Sequence, residues 1–235
     1  MKKVVVIIPT LNEAENIEQR IRAVSACNTV STIIVVDDSS TDATPQIVTG
    51  LQSENPNLIL IARTSPKNFS QSYREGFARA LAEGADVLIQ MDADGSHDER
   101  YIDAMVLALD QSDFAIGSRY GNGGGIEQWD AIRRLLSRSA NLYAKLLLSI
   151  PYHDLTGGYN AWKREVLESI DFSRLSNKGY VFQIWLKWNA HKNNFTGTEV
   201  PIIFTERRKG KSKFNFQIIL ETIREIFKMS LEKND

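Results

Sequence analysis

The chain has 235 residues, 43% of them hydrophobic and 24% charged, with a formal net charge of −1. That length accommodates one large domain with a sizeable core, and the near-neutral balance gives no global reason to expect nucleic acid as a partner. A single cysteine, Cys27, excludes an internal disulfide, and no run reaches the roughly 18 apolar residues expected of a membrane span.

Residues 4–8 are apolar and closed by Pro9; so short a run, without a cleavage site, reads as a first strand and not as a signal segment. A helix is expected over 12–26, capped by Asn12, with Glu13 and Glu15 near its positive end. Residues 33–36 form a second buried strand ending in Asp37-Asp38-Ser39-Ser40-Thr41-Asp42, a turn and cap leading into a helix over 43–51. A third strand over 58–61 precedes a helix over 71–83, with Phe77, Ala80 and Leu81 at core spacing. Val87-Leu88-Ile89-Gln90-Met91 is the fourth strand and runs into Asp92, Asp94 and a turn at Gly95. A helix over 98–109 and a fifth strand over 114–117, ending at Ser118-Arg119, complete the alternation. Strands alternating with helices of this length specify an α/β fold, a mostly parallel central sheet with helices on both faces.

After Arg119 the pattern changes. Residues 120–125 form a glycine-dense loop with freedom to move. A long helix over 129–149 carries Arg133, Arg134 and Arg138 in its first half and is apolar on most faces in its second. A turn at 154–158, a helix near 163–169, an aromatic-rich helix around 180–188 and a last strand over 200–204 follow. The basic run Arg207-Arg208-Lys209-Gly210-Lys211-Ser212-Lys213 leads into an amphipathic helix over 215–231. Without repeats or low-complexity linkers, the expected division is a main domain over 1–213 and a C-terminal amphipathic helix within 214–235.

In an open α/β sheet, ligands bind beyond the carboxyl ends of the strands. Glu13, Asp37-Asp38 and the pair Asp92/Asp94 sit at three such ends. One acidic strand end is commonplace, whereas three in successive βα units point to a nucleotide-diphosphate pocket. Two carboxylates at one strand end repel unless a cation lies between them, and hard divalent cations choose oxygen. The first strand is not followed by Gly-x-Gly-x-x-Gly, which argues against a dinucleotide-binding dehydrogenase.

Ile8-Pro9-Thr10-Leu11-Asn12-Glu13, Val36-Asp37-Asp38-Ser39-Ser40-Thr41-Asp42-Ala43-Thr44 and Met91-Asp92-Ala93-Asp94 resemble the successive motifs of inverting family 2 glycosyltransferases. The second half resembles dolichol- or polyprenol-phosphate mannose synthases more narrowly. It does so through Gly117-Ser118-Arg119-Tyr120, the glycine-rich loop with Trp129 and Arg133, and Asp154-Leu155-Thr156-Gly157-Gly158-Tyr159. Lys178-Gly179-Tyr180-Val181-Phe182-Gln183, and Arg207 with Gly210-x-Ser212-Lys213, continue the likeness to about Lys213.

The resemblance implies a Rossmann-like GT-A fold in which Pro9, Leu11, Glu13, Asp38 and Asp92 contact the nucleotide. Asp94, with Asp92, would bind Mg2+ or Mn2+ on the diphosphate. Ser96 stands where some relatives place a glutamine ligand and so takes the third ligand position, while His97 orients the loop. Lys67-Asn68-Phe69-Ser70-Gln71-Ser72-Tyr73 departs from the glycine-containing turn of many relatives. The implied reaction transfers mannose from GDP-mannose to a polyprenyl (dolichyl or undecaprenyl) phosphate with inversion, peripherally on the cytoplasmic face of a membrane. An integral-membrane partner and a homodimer both stay open. The alternatives are UDP-glucose or another nucleotide sugar as donor, a non-lipid acceptor, or a non-catalytic subunit that binds nucleotide sugar.

The residues suit that chemistry. A phosphate monoester carries roughly −1.5 to −2 charges near neutral pH, and attacks without a general base. Arg119, Arg133 and Arg207 are the candidates for gripping the acceptor phosphate, since guanidinium forks match phosphate oxygens. Arg133, Ser137 and Asn141 fall at i, i+4, i+8 on one helix face, so Ser137 adds a hydrogen bond; Arg134, Arg138 and Arg208 read as solvated surface. Residues 142–150 and 215–231 are candidates for the bilayer interface. Lys209, Lys211 and Lys213 would add roughly 1 kcal/mol each against anionic lipid. Packing on the domain or in a dimer is the equal alternative for the terminal helix.

Overall fold

The computed structural model describes residues 2–65, 67–174, 181–205 and 216–232. The chain opens with β1 (Val4–Thr10), α1 (Ile17–Ser25), β2 (Val30–Asp37), α2 (Thr44–Gln52), β3 (Leu58–Ala62) and α3 (Phe69–Ala82). β4 (Val87–Gln90), α4 (Ile102–Ala108), β5 (Phe114–Ser118), β6 (Gly125–Ile126) and α5 (Ala131–Leu148) follow. β7 (Asn160–Lys163), α6 (Arg164–Glu168), α7 (Phe182–Lys192), β8 (Gly197–Pro201), β9 (Ile203–Phe204) and α8 (Phe216–Leu231) complete it.

Seven strands form one sheet in the order β3-β2-β1-β4-β7-β5-β8. Every pairing in it is parallel except those of β7 with β4 and β5. The two-residue period of a strand sorts the side chains. Val5 and Ile7 join Ile34, Val36 and Leu88 on one face, and Val4, Val6 and Ile8 join Ile33, Val35 and Ile89 on the other. Phe77 of α3, Ala144 of α5, Phe182 of α7 and Ile226 of α8 cover the first face. Ile21, Val48 and Met105, from α1, α2 and α4, cover the second. Helix α3 lies so close that a Cβ on Gly76 would come within 2.5 Å of Ile7 Cγ2. The expected α/β architecture is what forms.

Local departures have local causes. Helix α1 starts five residues after Asn12, whose backbone is left-handed (φ 58°) and whose Oδ1 accepts from Thr41 N at 2.8 Å. Asparagine tolerates that conformation better than other non-glycine residues, so it stitches two loops together, and Asn16 occupies the N-cap position. The helix expected from 163 is preceded by β7, Asn-Ala-Trp-Lys. Four residues without a β-branched side chain, with Trp162 alone favouring a strand, carry little strand signal; pairing with β4 and β5 makes them one. The strand expected over 200–204 is split, with β8 parallel to β5 and β9 paired with β6.

The glycine-rich loop folds back on the sheet and does not stand away from it. Gly121 N donates to Ser118 Oγ at 3.1 Å, and a Cβ on Gly124 would lie 2.5 Å from Ser118 O. These glycines serve close approach. On α5, Ala144 and Leu148 enter the core with Ile150, while Ile132, Leu135, Leu142 and Leu146 are exposed along the whole helix, so the apolar surface is not confined to 142–150. Helix α8 packs against α5, with Ile226 and Met229 fully buried and Tyr143 Oη donating to Ile223 O at 3.4 Å. Arg207, Arg208 and the lysines of 209–213 lie outside the described residues.

Candidate active site

The carboxyl ends of β2, β1 and β4 are neighbours, in that order. At the first, Asp37 is buried and accepts from Thr10 Oγ1 at 3.2 Å and Ser40 N at 2.9 Å, which closes the turn. Asp38 is paired with the buried Arg63 and accepts from Asn68 N at 2.7 Å. At the second, Pro9, Leu11 and Glu13 are half-buried. Their loop is laced to the β2 loop by Asn12 N on Ser40 Oγ (2.8 Å) and Glu13 N on Thr44 Oγ1 (2.9 Å).

At the third, Asp92 Oδ1 receives Tyr73 Oη at 3.4 Å. Burial first, and then the Asp92 charge, pushes the Tyr73 phenol well above its ordinary pKa, so it stays a donor. Asp94 Oδ1 receives both the backbone N and the hydroxyl of Ser96, at 3.1 and 2.6 Å. Ser96 is therefore bonded to Asp94 through its side chain. His97 Nδ1 accepts from Asp92 N at 3.0 Å, which leaves the ring proton on Nε2. Burial lowers the His97 pKa to about 3, so the ring is neutral, stacked on Tyr159 at 4.9 Å between centroids. Through the bond from Asp92 N it ties the loop to Asp92.

A cavity of about 470 Å³ joins Asp92, Asp94, Ser96 and His97 to Arg119, Arg133 and Ser137, and to the apolar residues Leu136, Ala140, Ile223 and Ile226 of α5 and α8. Pro9, Leu11, Glu13 and Asp38 do not line it; they occupy the strand ends beside it. Arg119, a candidate for gripping the acceptor phosphate, lines the cavity with its guanidinium already engaged. Its Nε and Nη2 bind Asp154 Oδ2 and Oδ1, each at 2.7 Å, and Nη2 also reaches Thr156 Oγ1 at 2.8 Å. The pair is 8% and 0% exposed. Burial opposes both charges, and their mutual attraction more than offsets it, holding the Asp154 carboxyl below its usual range. Arg133 lies over the Trp129 ring, its guanidinium carbon 4.1 Å from the centroid. Ser137 Oγ accepts from Tyr120 Oη at 2.7 Å.

Two further side chains shape the turn between α5 and β7. Asn141 Oδ1 accepts from the backbone N of Leu155 and Thr156, at 2.7 and 2.9 Å. Lys187, fully buried, donates to the carbonyls of Leu155 and Gly157 at 3.1 and 2.7 Å. Burial brings its pKa down to about 7, with Asp154 pulling the other way.

Residues 5–171 match the glycosyl transferase family 2. The chain belongs to that family. A polyprenol monophosphomannose synthase of Mycolicibacterium smegmatis is 44% identical over 94% of this chain and 84% of its own length. An undecaprenyl-phosphate mannosyltransferase of Micrococcus luteus is 34% identical over 94% and 91%. A dolichol-phosphate mannosyltransferase of Pyrococcus furiosus is 34% identical over 97% of this chain, which spans 63% of that protein. Among solved structures, a Mycobacterium tuberculosis glucosyl-3-phosphoglycerate synthase with Mn2+, uridine diphosphate and phosphoglyceric acid aligns over 99% of this chain and 78% of its own at a TM-score of 0.70. At 17% identity that likeness concerns the fold.

As a family 2 glycosyltransferase, the chain has a donor set suited to a divalent ion. Asp92 and Asp94 could offer hard oxygen ligands, and no third His, Cys, Asp or Glu joins them in a metal-holding group among the described residues. Two carboxylates, with substrate phosphate oxygens and water filling the other positions, is how proteins hold Mg2+. Sequence reasoning singled out neither Arg63, Tyr73 nor Lys187. One signal was available, since Gln183 and Lys187 stand at i, i+4 in an otherwise largely apolar helix and so share one buried face.

Proposed function

We propose that this glycosyltransferase moves mannose from GDP-mannose to a polyprenyl phosphate, with inversion, on the cytoplasmic face of a membrane. The carrying observation is one cavity lined both by strand-end carboxylates and arginines and by the apolar faces of α5 and α8. A ligand with a phosphate head and a hydrocarbon tail suits such a lining. The names of the three relatives support the same acceptor class and sugar.

Pro9, Leu11, Glu13 and Asp38 would receive the nucleoside, about 10 Å of sheet, two strand spacings, separating the β2 end from the β4 end. Asp92 and Asp94 would hold Mg2+ or Mn2+, with Ser96 steadying Asp94 through its hydroxyl. The bound ion supplies charge neutralisation to the diphosphate leaving group. An oxygen of the lipid phosphate attacks the anomeric carbon as the bond to the diphosphate oxygen breaks and GDP departs. The attacking group is already anionic, so no side chain need remove a proton.

Arg133, braced on Trp129, and Arg207 grip the acceptor phosphate, with Ser137 adding its O–H. Arg119 organises this wall through Asp154. Helix α5, which bears the exposed apolar ridge, carries Arg133, Arg134, Arg138 and Lys145 but no acidic residue, a composition suited to an anionic bilayer surface. No described helix is long and apolar enough to cross a membrane.

The test is a donor–acceptor matrix: purified protein, Mg2+ or Mn2+, undecaprenyl or dolichyl phosphate in vesicles, and GDP-mannose or UDP-glucose. Lipid labelled from GDP-mannose is the expected result. Labelling from UDP-glucose alone would overturn the donor assignment, and labelling of neither lipid would overturn the acceptor.

A further inference from the structure

A chain of amides beneath the cavity has its orientation dictated from one end. The Trp162 indole N–H can only donate, and it lies 2.8 Å from Gln90 Oε1, so that atom must be the oxygen. The same oxygen takes Asn160 Nδ2 at 3.1 Å, which orients Asn160. Asn160 Nδ2 in turn lies 3.2 Å from Gln183 Oε1, which orients Gln183. Reversing either later amide would set oxygen against oxygen or nitrogen against nitrogen.

Gln183 is 4% exposed and its Nε2 has no hydrogen-bond partner among the described residues. Gln90 Nε2 and Asn160 Oδ1 also lack partners among the described residues, but of the three residues only Gln183 lines the cavity. A Cβ placed on Gly158 would be 3.5 Å from Gln183 Nε2 and 3.8 Å from Asp92 Oδ2, so the amide faces the same small space as the carboxylate. A buried donor without an acceptor is costly in a native protein and is expected to meet one in a functional state.

We propose that Gln183 binds the nucleotide sugar by donating from Nε2 to one of its oxygens, a hexose hydroxyl or a diphosphate oxygen. Trp162, Gln90 and Asn160 are positioning residues that present the amide as a donor. This deepens the donor reading above and rests on it.

Gln183→Glu is the discriminating variant. Its carboxylate still accepts from Asn160 but turns an acceptor, not a donor, toward the cavity. Calorimetric titration of the full chain with Mg2+ and GDP-mannose, and separately GDP, should show at least a tenfold rise in Kd for GDP-mannose. A rise for GDP-mannose alone assigns the sugar hydroxyl, and a rise for both assigns the diphosphate. Gln183→Met, which keeps length and removes the amide, should weaken binding in the same assay. Trp162→Phe should weaken it less, and its effect should vanish in the Gln183→Glu background, which a merely structural role for the indole would not produce.

Unchanged Kd in both Gln183 variants would overturn the proposal. If the wild-type chain binds UDP-glucose and not GDP-mannose, the donor reading fails while the Gln183 comparison proceeds on UDP-glucose. If it binds no nucleotide sugar, both fall.

Discussion

Replacing Asp154 tests whether the Arg119 wall is held by charge. The carboxylate is fully buried and receives Arg119 Nε and Nη2 at 2.7 Å, Arg119 N at 2.9 Å and Gly157 N at 3.0 Å. Asp154→Ala would strand a buried guanidinium, and breaking such a pair costs about 3–5 kcal/mol. For a chain of this size each kcal/mol moves Tm by about 2–4 °C, so the melting point should fall by roughly 6–20 °C. Replacing both partners with apolar residues of similar volume removes the stranded charge and is often neutral. The double variant Asp154→Leu/Arg119→Met should therefore recover most of the lost Tm. It should not recover mannosyl transfer, because the arginine that organises the acceptor wall is gone. Thermal melts and a labelled-lipid assay on the wild type, Asp154→Leu, Arg119→Met and the double variant close the cycle, with Asp154→Ala measured beside them. A double variant no more stable than Asp154→Ala would refute the ion-pair account.

Asp94→Asn should lower turnover by about 100-fold or more with little change in Tm, and chelation of divalent ions should do the same to the wild type; undiminished turnover after chelation would remove the metal. Arg133→Ala should raise KM for polyprenyl phosphate by about tenfold or more, whereas Arg134→Ala, outside the cavity, should leave it unchanged; equal effects would dissolve the distinction. Lys187 titrates at about 7 in the fold against an ordinary 10.5. Between those values the unfolded chain binds a proton that the folded chain does not. This group therefore adds stability as pH rises from about 7 to about 10.5, by up to about 1.4 kcal/mol per unit. Lys187→Met should flatten that part of the urea-melt profile, and an unaltered slope would be the contrary result. Leu135→Glu and Leu142→Glu, both on the exposed ridge of α5, should reduce co-sedimentation with anionic vesicles without lowering Tm; unchanged co-sedimentation would count against membrane docking by that ridge.

The opening βα units were legible because their strands are near-continuous β-branched runs, buried on both faces, with acids at their ends. Val4–Thr10 and Val30–Asp37 declare themselves locally. Asn160–Lys163 does not, since its strand conformation is imposed by partners more than forty residues away in sequence. The same distinction governs the site. Asp92 and Asp94 are two residues apart in sequence and were readable as a unit. The engagement of Arg119 by Asp154, thirty-five residues on, was not, because a spacing says that an arginine ends a strand and nothing about which acid reaches it. Ser96 was placed by its position in a resemblance, while its actual bond to Asp94 follows from a tight turn that brings its hydroxyl back on the preceding carboxylate.

That unreadable strand explains how the site is assembled. β4 and β5 both end at the ligand edge of the sheet, but they are not neighbours; β7 lies between them and runs the other way. A parallel strand in that slot would arrive at the ligand edge with its carboxyl end and leave from there. An antiparallel one begins at that edge, so the turn that feeds it, Asp154 to Gly158, is set between the carboxylates after β4 and the arginine after β5. There Asp154 fixes Arg119, and Gly158 leaves room for Gln183, His97 and Asp92 to face one space. Lys187 and Asn141 pin the turn from α7 and α5 through two carbonyls and two amides. One reversed strand thus supplies the joint between the acidic half of the site and the basic half, and neither set of charges alone accounts for its place.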